Sequence, residues 1–281
     1  MVHLWKKVVF LICVAMTFRF PSCALPMANQ EDVIIYGYSG EGRELVAHRL
    51  GQGSNIMVLC FCIHGYEDAY PRDGAALVYT AQETLKALRH STLVSNGDWS
   101  VYILPCLNPD GLYAGYTNNG PGRCSTTFLS GDGTVAYGAG IDLNRCFPAR
   151  WEFCNDNRNR TGSKPLAATE ALALSQFLQD IKGDAVNILL DVHGWYFQTI
   201  TTSPVILGVS ALCFPENTLT CSSGGPGYLT TYAAALGYET CLLEIPSTAG
   251  SYEEYINAGY SNRVVMFIKM LLQNQSLFSL F

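Results

Sequence analysis

The distribution of apolar residues along the chain predicts a sheet of buried strands. Residues 56–63 form a continuous apolar run without alternation, which is typical of a strand covered on both faces, as in a parallel sheet. Three further mainly apolar segments, 101–107, 185–192 and 238–245, are predicted to be strands of the same sheet. Each of the four is short and precedes a turn or a polar segment, so we interpret them as strands rather than helices.

Segments with apolar residues at helical spacing lie between these strands. The first spans residues 73–90, with Asp73 as its predicted N-cap, and the others span 166–181, 228–236 and 253–273. Strands and helices therefore alternate along the chain. This order predicts a single α/β domain with a mixed, mostly parallel β-sheet and helices on both faces.

Three other segments complete the prediction. Residues 33–38 and 45–50 flank a Gly-containing turn and are predicted to form a hairpin, and residues 199–209 are predicted to add a strand. Residues 112–140 are rich in Gly, Ser, Thr, Asn and Tyr and show no periodicity. A loop of this length in a compact domain is usually functional.

The N-terminal segment has the layout of a secretory signal. Lys6 and Lys7 precede a short apolar stretch, and the small residues at 22–24 offer a cleavage site. We therefore predict a signal peptide at residues 1–24, a single folded domain at residues 25–281 and a secreted or cell-envelope location. A retained N-terminal anchor is the alternative, and no other stretch resembles a transmembrane helix.

Composition restricts the class of partner. The 281 residues are 49% hydrophobic and 14% charged, with a formal net charge of -6, and Lys6-Lys7 is the longest basic run. This balance argues against nucleic acid as a partner and supplies enough apolar material for one large core.

Nine cysteines follow the predicted signal. Four lie in apolar runs and are expected to behave as small buried hydrophobes: Cys60, Cys62, Cys106 and Cys241. Five lie in loop-like sequence and could pair in an oxidising compartment: Cys124, Cys146, Cys154, Cys213 and Cys221. A bridge between Cys213 and Cys221 is the simplest pairing, and the partners of the others stay open.

Two of the predicted strands end in a His-Gly step, at His64 and at His193. Ligand chemistry in open α/β sheets collects at the carboxyl ends of the strands. Glu67 follows His64 by three residues, and two imidazoles with one carboxylate suit a catalytic zinc ion that keeps a position for water. We therefore predict one Zn²⁺ bound by His64, Glu67 and His193.

A further carboxylate, Glu244, lies in an otherwise apolar segment. A carboxylate in such surroundings must be paired or functional. We predict that Glu244 is the general base that acts on a water at the metal, with a buried partner for an arginine as the alternative.

Two more motifs complete a resemblance to a known family. They are Asn108-Pro109-Asp110-Gly111 and Gly140-Ile141-Asp142-Leu143-Asn144-Arg145. With the His-x-x-Glu pair and the late histidine, they resemble the zinc carboxypeptidases of the funnelin type, which include pancreatic carboxypeptidases and bacterial cell-wall peptidases. The resemblance covers nearly all of the chain after the predicted signal, and implies one zinc ion and metallocarboxypeptidase activity.

The resemblance also implies roles for four side chains. Asn144 and Arg145 would bind the terminal carboxylate of the substrate, since a guanidinium fork matches a carboxylate. Arg123 would stabilise the oxyanion, and Tyr228 is the nearest candidate for a tyrosine that caps the substrate. Cys146 stands where the family usually has an asparagine.

The tetrapeptide His64-Gly65-Tyr66-Glu67 looks more like bacterial members of the family than digestive ones. We therefore predict a secreted peptidase whose substrate carries a free C-terminal carboxylate next to a peptide or isopeptide bond, with peptidoglycan stem peptides as the leading candidate. The expected partners are peptides, and the expected oligomeric state is a monomer.

Two alternatives stay open. A zinc deacylase of the aspartoacylase type shares the His-x-x-Glu pair, the Asp-Leu-Asn-Arg segment and the late histidine, although the Asn-Pro-Asp-Gly turn and the export signal favour the peptidase. A secreted binding module that retains the metal only to hold a ligand is the other, and the presence of Glu244 argues against it. Serine hydrolases and His-Glu-x-x-His zincins are disfavoured because their motifs are absent.

Overall fold

The computed structural model describes residues 29–115 and 117–278. Within them the chain forms one eight-stranded sheet and a separate two-stranded hairpin. The strands of the main sheet, in spatial order, are β1 (Glu31–Tyr38), β2 (Glu44–Leu50), β4 (Trp99–Leu104), β3 (Asn55–Phe61), β7 (Asn187–Gly194), β10 (Glu239–Ile245), β8 (Gln198–Thr201) and β9 (Thr218–Cys221).

The centre of this sheet is parallel. Strand β3 pairs in parallel with β4 and β7, and β7 pairs in parallel with β10. Every residue of β3, β4 and β7 is buried, as their apolar sequences predict for strands covered on both faces. The predicted hairpin is confirmed as the antiparallel pair of β1 and β2.

Helices cover both faces of the sheet. Their bounds are α1 (Gly74–Arg89), α2 (Thr92–Ser95), α3 (Pro109–Ala114), α4 (Thr169–Ile181), α5 (Pro204–Cys213), α6 (Leu229–Ala235), α7 (Tyr252–Asn257), α8 (Tyr260–Gln273) and α9 (Gln275–Phe278). Helices α1, α5 and α8 contribute to the core on one face, and α4 and α6 to the core on the other. The predicted fold class, a single α/β domain with a mixed and mostly parallel sheet, is confirmed.

The predicted strand over residues 199–209 is wrong for most of its length. Strand β8 ends at Thr201, and helix α5 begins at Pro204. Ser203 is the N-cap of this helix, and its hydroxyl accepts a hydrogen bond from the backbone N–H of Ile206 at 3.5 Å. A Ser-Pro step is a strong start signal for a helix, and here it outweighs the β-branched residues that suggested a strand.

The closing helix predicted over residues 253–273 is interrupted. Gly259 adopts a φ of 71° between α7 and α8, a left-handed conformation that ends the first helix and starts the second. Glycine reaches this conformation without a Cβ clash, so the break is encoded at that position.

The segment predicted as a long loop after the Asn-Pro-Asp-Gly turn contains regular structure. The turn itself opens helix α3, and the Asn108 side-chain oxygen accepts a hydrogen bond from the backbone N–H of Gly111 at 2.9 Å. Further on, strands β5 (Thr127–Leu129) and β6 (Val135–Tyr137) form an antiparallel hairpin. Three-residue strands give too short a pattern for sequence periodicity to show.

The predicted bridge between Cys213 and Cys221 is wrong. All nine cysteines within the described residues are free. The Cys213 thiol is buried against the sulfur of Met270 at 3.6 Å, whereas Cys221 is exposed at the edge of the sheet. The helix that replaces the predicted strand places the two thiols in different surroundings.

The predicted signal peptide lies outside the described residues. Among the helices that the structure describes, none has both the length and the apolar character needed to span a bilayer.

Glu170 in helix α4 is a buried carboxyl group. It is 2% exposed and accepts hydrogen bonds from the backbone N–H of Gly40 at 3.3 Å and the hydroxyl of Thr169 at 3.0 Å. The apolar side chains around it are those of Ile63, Leu107, Leu143, Phe147 and Leu174. The pKa of Glu170 is raised from 4.5 to about 7. Burial is the main cause and the nearby Asp110 carboxylate adds to it, whereas the hydrogen bonds lower the pKa.

This raised pKa predicts a pH-dependent loss of stability. The folded state binds the Glu170 proton more tightly than the unfolded state, so the free energy of unfolding falls as pH rises from about 4.5 to about 7. The loss attributable to Glu170 is about 3 kcal/mol. Glu170→Gln, which stays neutral, gains stability relative to the parent between pH 5 and pH 8 in urea unfolding. Equal differences between the two proteins at both pH values would contradict the assignment.

Candidate metal centre

The pairing of β3 with β7 brings the two His-Gly steps together. Cys60 pairs with Asp191 and Phe61 with Val192, so both chains leave the sheet at the same level. The imidazole rings of His64 and His193 have centroids 5.2 Å apart. One ligand atom from each of His64, Glu67 and His193 lies within 4.8 Å of the others, and all three residues are buried.

Gly65 allows the loop after β3 to turn in this position. A Cβ at residue 65 would stand 2.1 Å from the backbone nitrogen of Leu112, so the loop can approach helix α3 this closely only with glycine. The loop then returns towards the sheet and places Glu67 between the two imidazoles. Glu67 Oε2 lies 3.2 Å from His64 Nδ1, and Oε1 lies 3.3 Å from His193 Nδ1.

Each imidazole is oriented by a buried aspartate. His64 Nε2 lies 3.0 Å from Asp142 Oδ1, and His193 Nε2 lies 2.9 Å from Asp191 Oδ2. Such outer carboxylates hold the ring of a metal ligand and raise its basicity. Because Nε2 is engaged in both rings, Nδ1 is the nitrogen that each offers towards Glu67.

Electrostatics favour an ionised Glu67. Burial raises the pKa of this carboxyl, but the two imidazoles outweigh burial and lower the pKa from 4.5 to about 2. Burial lowers the pKa of His193, while Asp191 and Glu67 raise it well above the ordinary value. Glu67 Oε1 is shielded from solvent and has no hydrogen-bond partner among the residues that the structure describes. This atom and the two Nδ1 atoms form a donor set that fits zinc, with three protein ligands.

Glu244 lies beside this group. It is in register with His193 in the parallel pair of β7 and β10, so the two side chains leave the same face of the sheet. Its Oε2 atom is shielded from solvent, and no hydrogen-bond partner for it occurs in the described part of the chain. Burial raises the pKa of Glu244 from 4.5 to about 7, against the lowering effect of His193. The predicted alternative, a buried arginine partner, is not seen among the described residues.

Asn144, Arg145 and Tyr228, the residues predicted to bind the substrate, lie next to one another. The Arg145 guanidinium carbon lies 4.3 Å from the centroid of the Tyr228 ring, a cation–π contact. Arg145 also donates to the Asn144 carbonyl at 2.9 Å. Their roles towards a substrate stay predictions.

The Asn144 amide has protein partners on both sides. Its Oδ1 accepts the backbone N–H of Leu229 at 2.8 Å, and its Nδ2 lies 3.4 Å from His193 Nε2. With 1% of its surface exposed, Asn144 links the metal group to the start of helix α6. Arg145, which is half-buried, is the more accessible of the two residues.

Arg123 is close to the metal group but is already paired. Its guanidinium lies 3.2 Å from Asp142 Oδ2, and its side chain is 7% exposed. Burial lowers the pKa of Arg123, whereas Asp142 and Glu67 raise it above the ordinary value, so it is cationic. Its Nε is shielded from solvent and has no hydrogen-bond partner within residues 29–115 and 117–278. The position is compatible with the predicted oxyanion role, which stays a prediction.

Sequence reasoning gave no role to Asp142 or Asp191, the two residues behind the histidines. Two signals could have found them. Asp191 precedes His193 by two residues on one strand, so both side chains lie on the same face. Asp142 opens the Asp-Leu-Asn-Arg segment, and its Oδ1 also accepts the backbone N–H of Asn144 at 2.9 Å.

Comparison with known proteins yields a family and several relatives. The family model described as zinc carboxypeptidase matches residues 28–203. A bacteriocin, BCN5 of Clostridium perfringens, is 31% identical over 249 residues, which are 88% of this chain and 26% of the relative. The chain therefore spans about a quarter of the length of that curated relative.

Solved structures share the fold. Bovine thrombin-activatable fibrinolysis inhibitor, in complex with tick carboxypeptidase inhibitor, is similar with a TM-score of 0.70 and 16% identity, over 98% of this chain and 95% of that one. Murein-tripeptide amidase MpaA from Escherichia coli O157 is similar with a TM-score of 0.53 and 23% identity, over 89% and 98%. The matched residues include all three members of the metal group, and the chain belongs to the zinc carboxypeptidase family.

Proposed function

We propose that the protein is a zinc-dependent peptidase that hydrolyses a peptide or isopeptide bond next to a free C-terminal carboxylate. The observation that carries the proposal is the register of strands β7 and β10, which places Glu244 beside His193. It sets a carboxylate, whose Oε2 atom has no hydrogen-bond partner among the described residues, beside the two imidazoles and Glu67. Arg145, held near the same group through Asn144, supplies the cation for the substrate carboxylate.

Each part of the site has a defined task in this reaction. His64, Glu67 and His193 would hold the zinc ion, which would polarise the scissile carbonyl and lower the pKa of a water. Glu244 takes a proton from the attacking water and passes it to the leaving amine. Burial raises the pKa of Glu244, which makes this carboxylate a better proton acceptor than an exposed glutamate. Arg123 is cationic and lies near the metal group, and its task is to stabilise negative charge on the carbonyl oxygen.

We propose peptidoglycan stem peptides as the substrate class. One structural relative is named a murein-tripeptide amidase, and one related sequence is a bacteriocin of Clostridium perfringens. The predicted signal at residues 1–24 would deliver the protein to the compartment that holds this polymer, outside the cytoplasm. The proposed working form is a monomer, since the metal group and Glu244 come from one chain.

The two alternatives make different demands on the substrate. A deacylase would cleave N-acyl amino acids and leave stem peptides intact. A binding module would retain its ligand without turnover. Purified stem peptides, simple peptides with free or amidated C-termini and N-acyl amino acids, each analysed by mass spectrometry, separate the three functions. Cleavage confined to N-acyl amino acids, or no cleavage with zinc bound, would overturn the proposed peptidase.

The first prediction concerns metal content. His193→Ala removes one of three ligands and leaves the Asp191 carboxylate without its partner. We expect elemental analysis after dialysis to show about one zinc per chain in the parent and substantially less in the variant. The conservative control is Asp68→Asn, on the loop of Glu67 but outside the metal group, which should retain zinc. Full zinc content in His193→Ala would contradict the ligand set.

The second prediction concerns the base. Glu244→Gln keeps the size of the side chain but removes the proton acceptor, so kcat should fall by roughly 10²–10⁴-fold. Zinc content should stay unchanged, because Glu244 is not a ligand. The measurement is steady-state hydrolysis of the peptide that the substrate screen identifies. A variant with kcat close to that of the parent would exclude Glu244 as the base.

The third prediction concerns the substrate carboxylate. Arg145→Ala should raise KM for a peptide acid while leaving the already poor hydrolysis of the matching peptide amide little changed. The expected loss is about 2 kcal/mol of binding, or roughly 30-fold, typical of a hydrogen bond to a charged group. Kinetics on the acid and amide pair measure it. An equal effect on both peptides would mean that Arg145 does not bind the C-terminal carboxylate of the substrate.

A further inference from the structure

Asp73 has the position of a helix cap but does not act as one. It is the N-cap residue of α1, as the sequence predicts, yet its side chain accepts no hydrogen bond from the first turn of that helix. The residue is fully buried. An aspartate at this position usually accepts the backbone N–H of the second or third helical residue. Its carboxylate is directed elsewhere.

The Asp73 carboxylate joins the two loops that carry the metal group. Its Oδ1 accepts the backbone N–H of Glu67 at 2.6 Å, and its Oδ2 accepts the backbone N–H of Ala69 at 2.8 Å. The same Oδ2 accepts the indole N–H of Trp195 at 3.0 Å. Glu67 is a member of the metal group, and Trp195 follows His193 by two residues. One buried carboxylate therefore spans from the loop after β3 to the end of β7.

Trp195 is itself held firmly. Its ring packs against Tyr255 at a centroid distance of 5.2 Å and against Tyr70 at 6.4 Å. The hydroxyl of Tyr255 is hydrogen-bonded to that of Thr80 in helix α1 at 2.7 Å. The indole N–H thus offers Asp73 a fixed donor rather than a mobile one.

The backbone N–H of Glu67 donates the shortest of the three hydrogen bonds to the Asp73 carboxylate, at 2.6 Å. A carboxylate that accepts three N–H groups in a buried place makes charge-assisted bonds, which are stronger than bonds between neutral groups. Removing the acceptor leaves buried donors unsatisfied, and the Glu67 loop loses its anchor to β7.

We propose that Asp73 is a positioning residue of the metal site, which sets the distance between Glu67 and His193 by binding the Glu67 loop and the Trp195 indole at once. The inference rests on the metal group of the proposed function and is independent of the substrate. Asp73 does not contact the ion or the reacting atoms in this arrangement. It acts through Glu67, and its loss should appear first in metal affinity.

The test measures zinc affinity by competition with a chelator of known affinity, in the absence of any peptide. Asp73→Asn replaces one acceptor oxygen with an NH₂ group. This donor would face either the Glu67 N–H, or both the Ala69 N–H and the Trp195 indole N–H, so that hydrogen bonding is lost there. We expect zinc to bind about 10–100-fold more weakly, as for other residues behind metal ligands. Trp195→Phe removes one donor and keeps an aromatic ring, and should weaken zinc binding by a smaller factor in the same direction.

Two controls separate positioning from general destabilisation. Thr84→Ala removes a buried hydroxyl in helix α1 that donates to the Thr80 carbonyl at 2.8 Å, and lowers stability without changing the hydrogen bonds of Asp73, Trp195 or Tyr255. Asp68→Asn changes a carboxylate next to Glu67 that pairs instead with Arg158 at 2.9 Å. Both should retain the zinc affinity of the parent, with the free energy of unfolding recorded for every variant.

The outcomes decide the proposal. Weaker zinc binding in Asp73→Asn, with little further loss in the double variant with Trp195→Phe, supports it, because coupled residues are non-additive. A loss of stability like that of Thr84→Ala, with zinc affinity within about twofold of the parent, overturns it. If Asp73→Asn fails to fold, Trp195→Phe alone decides between the same results. A parent protein that binds no zinc would instead overturn the proposed function.

Discussion

The structure depends on keeping one carboxylate, Glu67, ionised between two imidazoles in a buried place. Burial of a lone charge is costly, and His64 and His193 offset that cost only because the pairing of β3 and β7 holds their rings 5.2 Å apart. The surrounding aspartates depend on the same arrangement, since each binds an imidazole through Nε2. A displacement of either strand would leave several buried charges without partners at once.

The balance of charge around this group explains why a divalent cation belongs there. Glu67, Asp142 and Asp191 are buried, and Glu244 stands beside them. Arg123 is the cation seen next to Asp142, and it is 7% exposed. Binding of a dication to the folded state stabilises it by mass action, so metal and fold support each other.

Much of the fold and the metal group could be predicted from the sequence. The run at 56–63 and the His-Gly steps were informative because buried parallel strands and ligand pairs both leave strong local patterns. The failures have physical causes. The start of α5 is set by the two residues Ser203-Pro204, and the break before α8 is set by Gly259 alone. Signals of one or two residues are too short to change a prediction that rests on a longer apolar pattern.

The outer residues of the site were harder to predict for another reason. Asp73 was identified as a cap from its place before an apolar helix, but its carboxylate binds Glu67, Ala69 and Trp195, which come together only in the tertiary structure. A position in sequence limits where a side chain can start, whereas its partners depend on neighbouring elements. Asn144 shows the same effect, since its amide is enclosed by His193 and Leu229.

The order of strands has a consequence for how the protein assembles during synthesis. Strand β10 lies between β7 and β8 in the sheet, although it is made after both. Strands β8 and β9 have no ladder to the rest of the sheet until residue 245 has left the ribosome, so this half of the sheet forms by long-range pairing, which is slow. The metal group is complete earlier in the chain, and Glu244 arrives with the last strand. The nascent protein can therefore acquire its metal-binding side chains before it holds the carboxylate that the proposed hydrolysis requires.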